Sequence, residues 1–363
     1  MARILNRIRK AFMGTDVDAI LLMNTLAPTS NFLYLTGMTS GLFEFSPLVV
    51  TRRREVLLTN PLEYEIARRQ HPAEMEVRNM GAKKASELFT ELGEYLEGKR
   101  VGIDGESLPQ KYYLLLKRYS KARAFVDVSG SFYAARAVKD DYEISMISRA
   151  NHLVLKMMGE IQSYFKEGMT EKQLAAQVEY MMRAYGADGP SFPTIVCFGE
   201  NAALPHHMPT AARLRRNSLV LIDCGAKYAN YCSDVTRTFI FKPDAATAKH
   251  REMRQMLDTV KEAQGLAMGS IRAGLPGKSA HLVAAEYIDG ACGGKYRGRF
   301  IHSLGHSLGI DVHDVGPRLG PSVTEKLQAN MVVSDEPGIY VPGFGGVRIE
   351  DDVVVTKSGG RLI

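Results

Sequence analysis

The chain has 363 residues, of which 45% are hydrophobic and 24% are charged, and this length predicts two domains rather than one core. The formal net charge of +6 is too small to indicate the basic stripe of a nucleic-acid-binding protein. The four cysteines form no CxxC pair, which is typical of a reducing compartment.

The amino-terminal residues lack the pattern of a targeting signal. The first 23 residues are basic and slightly amphipathic, and Asp16 and Asp18 interrupt their apolar run before it reaches signal-peptide length. No segment approaches the roughly 18 uninterrupted apolar residues of a membrane span. We therefore expect no membrane association and a cytoplasmic location.

Residues 1 to about 135 alternate strand-like and helix-like segments, which predicts an α/β layer. Strands are predicted at residues 18–23, 100–104 and 124–128, with a hairpin formed by residues 47–51 and 56–59. Helices are predicted at residues 63–70, 85–96 and around 112–116, and residues 31–37 form an apolar segment ended by glycine. Arg52, Arg53 and Arg54 fit the hairpin turn, because no glycine-rich phosphate loop accompanies them. No cluster of acids, histidines and nucleophiles falls here, so this region is interpreted as a scaffold or lid.

A charged segment at residues 136–141 predicts the boundary between domains of residues 1–135 and 136–363. An amphipathic helix follows through residues 144–158, and Thr170 is placed to cap the next helix. Beyond residue 190 short strands predominate, with helices at about 246–268 and 278–288, so the second domain is predicted to be α+β. Two turn-rich stretches, at residues 199–209 and 337–346, are expected to form walls of a pocket.

Four acids stand in or at the ends of apolar strands of this domain. Residues 218–223 deliver Asp223, and residues 230–241 carry Asp234 on the next strand, so an antiparallel hairpin would bring both carboxylates together. Residues 331–336 end in Glu336. Residues 346–355 read as one strand, with Arg348, Glu350 and Asp352 on one face and Asp351 on the other.

Three of the nine histidines lie between residues 300 and 314, in the stretch FIHSLGHSLGIDVHD. Imidazoles among small and apolar residues indicate metal ligation or proton handling. A purely structural role for His302 and His306 remains open from this stretch alone. For any one of the acids, exposure to water or a salt bridge with Arg348 is also an adequate explanation.

Taken together, the acids and histidines favour a metal site. Inward carboxylates on apolar strands need a compensating charge. Four carboxylates and one imidazole provide ligands for two divalent ions about 3.5–4 Å apart. Such hard ligands suit manganese, cobalt, iron or zinc better than copper.

Five motifs occur in order: LIDCGA, SDVTRT, HSLGHSLGIDVHD, DEPGIY and GVRIEDD. With them the sequence resembles the pita-bread metallopeptidases, which include Xaa-Pro aminopeptidases and prolidases. The resemblance implies an α+β class protein, in which a pita-bread catalytic domain follows a smaller α/β creatinase-like domain. It also implies two divalent ions per chain, with manganese favoured and cobalt, zinc or iron as alternatives.

The resemblance assigns roles residue by residue. It implies five metal ligands, namely Asp223, Asp234, His306, Glu336 and Glu350, of which Asp234 and Glu350 bridge the ions. It implies that Glu336 also accepts a proton. His206 would lie near the substrate amide, and His313 would stabilise the tetrahedral intermediate. The substrate pocket would also contain His302, Arg348 and Tyr340. His207 stands beside His206, and the LPH pattern favours His206.

The implied activity is hydrolysis of the bond between an N-terminal residue and a following proline, with a metal-bridged hydroxide as the nucleophile. The substrates would be proline-containing peptides or dipeptides, and the choice between aminopeptidase and dipeptidase stays open. Two alternatives with the same fold are a lyase and a binding protein without catalysis. An amino domain of about 135 residues argues against methionine aminopeptidase. By the same resemblance, a homodimer is expected.

Overall fold

The chain divides into two units, Met1–Arg136 and Ala137–Ile363. The structure is a computed structural model that describes residues 2–52, 54–72, 75–81 and 85–363. Arg53, one of the three arginines assigned to the hairpin turn, lies outside the described residues. Among the described residues, no helix combines the length and the apolar character that crossing a membrane requires.

The first unit is built on a six-stranded sheet with the strand order β4–β3–β2–β1–β5–β6. Its strands are β1 (Ala19–Met23), β2 (Pro47–Thr51), β3 (Glu55–Thr59), β4 (Met75–Asn79), β5 (Arg100–Ile103) and β6 (Ala124–Asp127). The predicted hairpin is confirmed, because β2 pairs antiparallel with β3. Strand β1 lies inside the sheet and is buried at every position, as its sequence AILLM requires.

The described residues of the first unit also form six helices: α1 (Ala2–Ala11), α2 (Ser30–Thr36), α3 (Pro61–Gln70), α4 (Ala85–Leu96), α5 (Gln110–Tyr119) and α6 (Ser129–Ala137). The apolar segment at residues 31–37 is helix α2. The Thr29 side chain caps its N-terminus, and Gly37 ends it in the left-handed conformation at φ 67°. Strand β4 was absent from the predicted elements, because its sequence MEVRN is a half-exposed edge without an apolar run.

The second unit contains four long helices: α7 (Asp141–Glu160), α8 (Glu171–Ala184), α9 (Ala248–Met268) and α10 (Lys278–Gly294). A capping box formed by Asp140 and Glu143 begins α7, and Thr170 caps α8 as predicted. The apolar faces of α7 and α8 pack on the sheet that carries Val220, Ile222 and Val235. Short 3₁₀ segments occur at Ile161–Tyr164 and Gly199–Ala203.

The strands of the second unit form small antiparallel sheets. The sheet β12–β9–β8 contains β8 (Ile195–Phe198), β9 (Ser218–Cys224) and β12 (Val235–Phe241). A second contains β7 (Gly189–Pro190), β10 (Ala226–Tyr228) and β11 (Tyr231–Cys232). A third contains β13 (Val332–Asp335), β16 (Asp351–Val355) and β17 (Gly360–Leu362), and β14 (Gly338–Val341) pairs with β15 (Gly345–Arg348).

Two segments predicted as continuous strands are interrupted, and each break contains one buried acid, Asp234 or Glu350. The segment of residues 230–241 breaks at Ser233–Asp234. There the Asp234 amide donates to the side-chain carboxylate of Asp352 (3.1 Å) instead of to the backbone carbonyl of a neighbouring strand. Residues 346–355 break at Ile349–Glu350, so Arg348 and Asp352 belong to different sheets. The prediction that Arg348, Glu350 and Asp352 share one strand face is therefore wrong.

The histidine-rich stretch is neither a helix nor a strand of a named sheet, but it runs beside β13. The amides of Ser334 and Glu336 donate to the carbonyls of His306 (2.9 Å) and Leu304 (2.8 Å). Gly305 permits this close approach, because a Cβ there would lie 2.0 Å from the Ser334 carbonyl oxygen. His306 and Glu336 are thereby held side by side.

Candidate metal centre and active site

The second unit contains a cavity of about 350 Å³ whose wall carries most of the predicted site residues. Its polar lining includes Asp223, Asp234, Glu336, Glu350, His206, His302, His306, His313 and Arg348. Phe192, Ile195 and Val312 add apolar surface. Tyr340 does not line this cavity, although it was expected in the substrate pocket.

The four acids reach the cavity from the ends of strands. Asp223 is the penultimate residue of β9, and Asp234 directly precedes β12, which pairs antiparallel with β9. Glu336 directly follows β13, and Glu350 directly precedes β16. Asp223 stays paired with Thr236 and Ile195 near the end of its strand, whereas the other three acids lie just outside their strands. The four carboxylates therefore converge while the apolar strands remain packed.

His306 points one ring nitrogen at this acidic cluster. Its Nε2 lies 3.4 Å from Asp234 Oδ2 and 3.6 Å from Glu336 Oε1. Its Nδ1 lies 3.2 Å from the Ser307 carbonyl oxygen, which can only accept, so Nδ1 is the donor there and Nε2 is the nitrogen that faces the carboxylates. Ligand atoms of Asp234, His306 and Glu350 all lie within 4.8 Å of one another. An imidazole nitrogen and carboxylate oxygens that face one another at these distances form a donor set suited to a divalent cation.

The charges of the acids also fit divalent cations. Burial and the charges of Glu350 and Asp223 raise the pKa of Asp234 well above its usual range. Burial and Glu350 likewise raise the pKa of Glu336, and burial with the Asp223 charge raises the pKa of Glu350 to about 7. Asp223 Oδ1 and Asp234 Oδ1 are buried without a hydrogen-bond donor. Such mutually repelling carboxylates with free lone pairs are the donor set of a divalent metal site.

A chain of hydrogen bonds lies behind Asp223. Arg348 Nη2 contacts Asp223 Oδ2, and Arg348 Nη1 donates to Tyr340 Oη (2.7 Å). Since arginine cannot accept, the tyrosine proton goes to His302 Nε2 (2.8 Å), and His302 Nδ1 donates to the Ser303 carbonyl (2.8 Å). Both ring nitrogens of His302 are thus engaged, and it offers the cavity only its ring carbons.

Replacing Tyr340 with phenylalanine should remove the link between Arg348 and His302. The buried guanidinium then loses one acceptor, which costs about 1–3 kcal/mol of unfolding free energy. We expect kcat/KM at this site to fall about tenfold, because Asp223 is held less rigidly. Tyr180→Phe is the matched control, since Tyr180 is exposed. Unchanged kinetics for Tyr340→Phe would show that Arg348 positions Asp223 without help.

The remaining histidines separate into cavity and support groups. His206 lines the cavity, whereas His207 Nε2 lies 3.0 Å from the buried carboxylate of Glu171. The structure therefore places the residue favoured by the LPH pattern in the cavity wall. The ring of His313 packs edge-on against His306, with centroids 4.1 Å apart. Desolvation and the neighbouring His306 and Arg318 lower the pKa of His313 to about 4, so its ring is neutral near pH 7.

Several supporting residues were missed by the sequence prediction. Thr236 Oγ1 donates to Glu350 (2.6 Å) and accepts from Arg348 Nε (3.1 Å). Asp352 accepts from the Asp234 amide and from Asn151 Nδ2 (2.9 Å). The only local signal was their apolar strand setting, because each partner is more than a hundred residues away in the chain. Arg318 also lines the cavity.

The fold and the acidic cluster define a metallopeptidase. A family model described as metallopeptidase family M24 matches residues 145–357, and one described as the creatinase/prolidase N-terminal domain matches residues 4–138. The chain belongs to metallopeptidase family M24. The predicted fold class, a pita-bread domain preceded by a creatinase-like domain, is confirmed.

Relatives cover nearly the whole chain. The chain is 33% identical over 354 residues to the Xaa-Pro dipeptidase of Pyrococcus horikoshii. The alignment spans 96% of this chain and 93% of the relative. The solved Xaa-Pro dipeptidase from Bacillus anthracis matches with a TM-score of 0.85 and 29% identity, covering 99% of this chain and 96% of that one. The X-Pro aminopeptidase from Thermotoga maritima matches with a TM-score of 0.87 and 30% identity, covering 97% of each chain.

Proposed function

We propose that the protein is a two-metal peptidase that hydrolyses the bond between an N-terminal residue and a following proline. The observation that carries this proposal is the convergence of four carboxylates and His306 on one cavity. Relatives that bear the name Xaa-Pro dipeptidase support the specificity. The same metal ligands argue against the catalytically inactive alternative, and the lyase alternative is tested by the peptide assay below.

In this proposal the cluster of Asp223, Asp234, His306, Glu336 and Glu350 holds two divalent ions, with manganese preferred and cobalt, zinc or iron as alternatives. Bound divalent ions would supply a water of lowered pKa and a positive charge for the substrate carbonyl oxygen. Asp234 and Glu350 are assigned as bridging ligands. The Thr236 hydroxyl, which donates to Glu350, orients that carboxylate.

The protein's own groups then bind the substrate and move its protons. Glu336 accepts the proton released by the attacking water. Its Oε2 lies 4.0 Å from His302 Nδ1. His313 donates a hydrogen bond to the oxyanion, and His206 contacts the substrate near the scissile amide. The scissile nitrogen belongs to proline and has no N–H to donate. Phe192, Ile195 and Val312 give the pyrrolidine ring an apolar surface.

Arg318 favours the dipeptidase form of this activity. Its side chain lines the cavity, and no hydrogen bond or ion pair among the described residues uses its guanidinium. A free cation in a peptide cavity suits a carboxylate, and in an Xaa-Pro dipeptide the carboxylate stands directly on the proline. We therefore propose that Arg318 binds the substrate C-terminus.

Replacing Arg318 with alanine should change the preference for substrate length. A charge-assisted hydrogen bond contributes about 1.5–3 kcal/mol, so kcat/KM for Ala-Pro should fall about 10- to 100-fold. Cleavage of Ala-Pro-Ala, whose carboxylate lies farther away, should change little. Arg361→Ala, on the exposed edge strand β17, is the control. Equal loss on both peptides would reject the assignment, and no hydrolysis of either peptide by the metal-loaded wild type would favour a lyase.

We also propose that the protein forms a homodimer and is located in the cytoplasm. A homodimer would sediment at twice the 40.1 kDa chain mass, and the monomer mass would contradict it. All four cysteines are free, three of them buried, which supports a reducing compartment such as the cytoplasm.

A further inference from the structure

One buried acid outside the cavity has every lone pair engaged. Glu171, the first residue of α8, is 0% exposed. Its Oε1 accepts from the Phe198 amide (2.8 Å) and Asn201 Nδ2 (2.8 Å). Its Oε2 accepts from the Thr210 amide (2.9 Å), the Thr210 hydroxyl (2.6 Å) and His207 Nε2 (3.0 Å). Burial alone would raise the pKa of Glu171, but these hydrogen bonds outweigh it and lower the pKa, so the group is an anion.

All of these donors belong to one loop, residues 198–210, which begins at the end of β8. The same loop carries Pro205 and His206 into the cavity wall. Its internal support is slight near His206, where the Leu204 amide donates to Asn201 O (3.0 Å) and the His207 amide to Leu204 O (3.1 Å). The carboxylate therefore ties the beginning and the end of the loop, and the residue next to His206, to the rigid end of a helix.

We propose that Glu171 is a positioning residue that holds His206 against the substrate. The role rests on the proposed function, because only there does His206 contact the scissile amide. Ordering a loop costs backbone entropy, and the anion offsets that cost before the substrate arrives. A displacement of about 1 Å at a substrate-contacting group reduces turnover up to roughly a hundredfold.

The test is Glu171→Gln in the full-length, manganese-loaded protein. Glutamine keeps the shape but replaces one acceptor oxygen with an NH₂ group, which cannot accept from the loop donors. We expect faster hydrogen exchange of the amides in residues 199–210, together with an about tenfold lower kcat/KM for Ala-Pro. The double variant with His206→Ala should be no slower than His206→Ala alone, since Glu171 acts through His206. Manganese content should not change, because Glu171 touches no proposed ligand.

Two further variants keep the test decisive. Thr210→Val removes the hydroxyl that donates to Glu171 and accepts from the Ala212 amide (3.1 Å) but keeps the other donors to Glu171, so it reports the same loosening if Glu171→Gln does not fold. Glu179→Gln, on the same helix, should change neither exchange nor rate. Unchanged exchange in the loop, or additive losses in the double variant, would overturn the proposal. An inactive wild type would contradict the proposed function before any variant is compared, and loop exchange in Glu171→Gln would then decide the anchoring role.

Discussion

Replacing Asp234 with alanine should abolish metal-dependent peptide hydrolysis. Asp234 Oδ2 lies 3.4 Å from His306 Nε2, and Asp234 is the acid proposed to bridge both ions. Its loss removes a ligand from each ion, so we expect kcat/KM for Ala-Pro to fall at least about a thousandfold. Bound manganese, measured by elemental analysis after gel filtration, should fall below two ions per chain.

The same variant should not be unstable when the metal is chelated. Asp234 is buried beside Glu350 and Asp223, which raise its pKa, so its charge opposes folding in the absence of a cation. Thermal unfolding in EDTA should therefore occur at an unchanged or higher temperature. Asp258→Ala, which removes an exposed acid of α9 in a surface pair with Arg254, serves as the control. Substantial activity in Asp234→Ala would disprove the bridging assignment.

Replacing Glu336 with glutamine should separate metal binding from proton transfer. The amide oxygen remains a ligand, but glutamine cannot accept the proton of the attacking water. General-base assistance is commonly worth 10²–10⁴-fold, so kcat should fall about a thousandfold while bound metal is largely retained. The Ser334 hydroxyl, 3.3 Å from Glu336 Oε1, can still hold the side chain in place.

Two further measurements show whether the loss in Glu336→Gln arises in the chemical step. KM for Ala-Pro should change much less than kcat, because the proton transfer belongs to the chemical step. Glu286→Gln, on the exposed face of α10, should leave both constants unchanged. If Glu336→Gln retained nearly full kcat, another group would have to accept the proton.

Local patterns predicted most elements, because apolar periodicity and caps act within a few residues. Helix α4 (Ala85–Leu96), the capped helix α8 and strand β9 follow the predicted segments closely. Strand β4 escaped prediction, because its burial comes from pairing with β3 rather than from its own composition. The break before β12 was also invisible, since the Asp234 amide bonds to Asp352, 118 residues away.

The sequence predicted the proposed metal ligands of the candidate site but not the contacts that support them. Acids in or at the ends of apolar strands indicated all four carboxylates, and the family motifs singled out His306 among the histidines. Patterns within a motif could not show that Tyr340 stands behind the cavity wall, because its place depends on Arg348 and His302 from other segments. The same holds for His207, whose partner Glu171 lies 36 residues earlier.

The proposed metal centre requires that four carboxylates and His306 hold two divalent ions. Elemental analysis of the wild-type protein, reconstituted with manganese and then desalted, measures this stoichiometry. We predict close to two ions per chain, together with hydrolysis of Ala-Pro that EDTA removes and manganese restores. Protein that hydrolyses Ala-Pro at full rate without bound metal, or that retains no ion after reconstitution, would contradict the proposal.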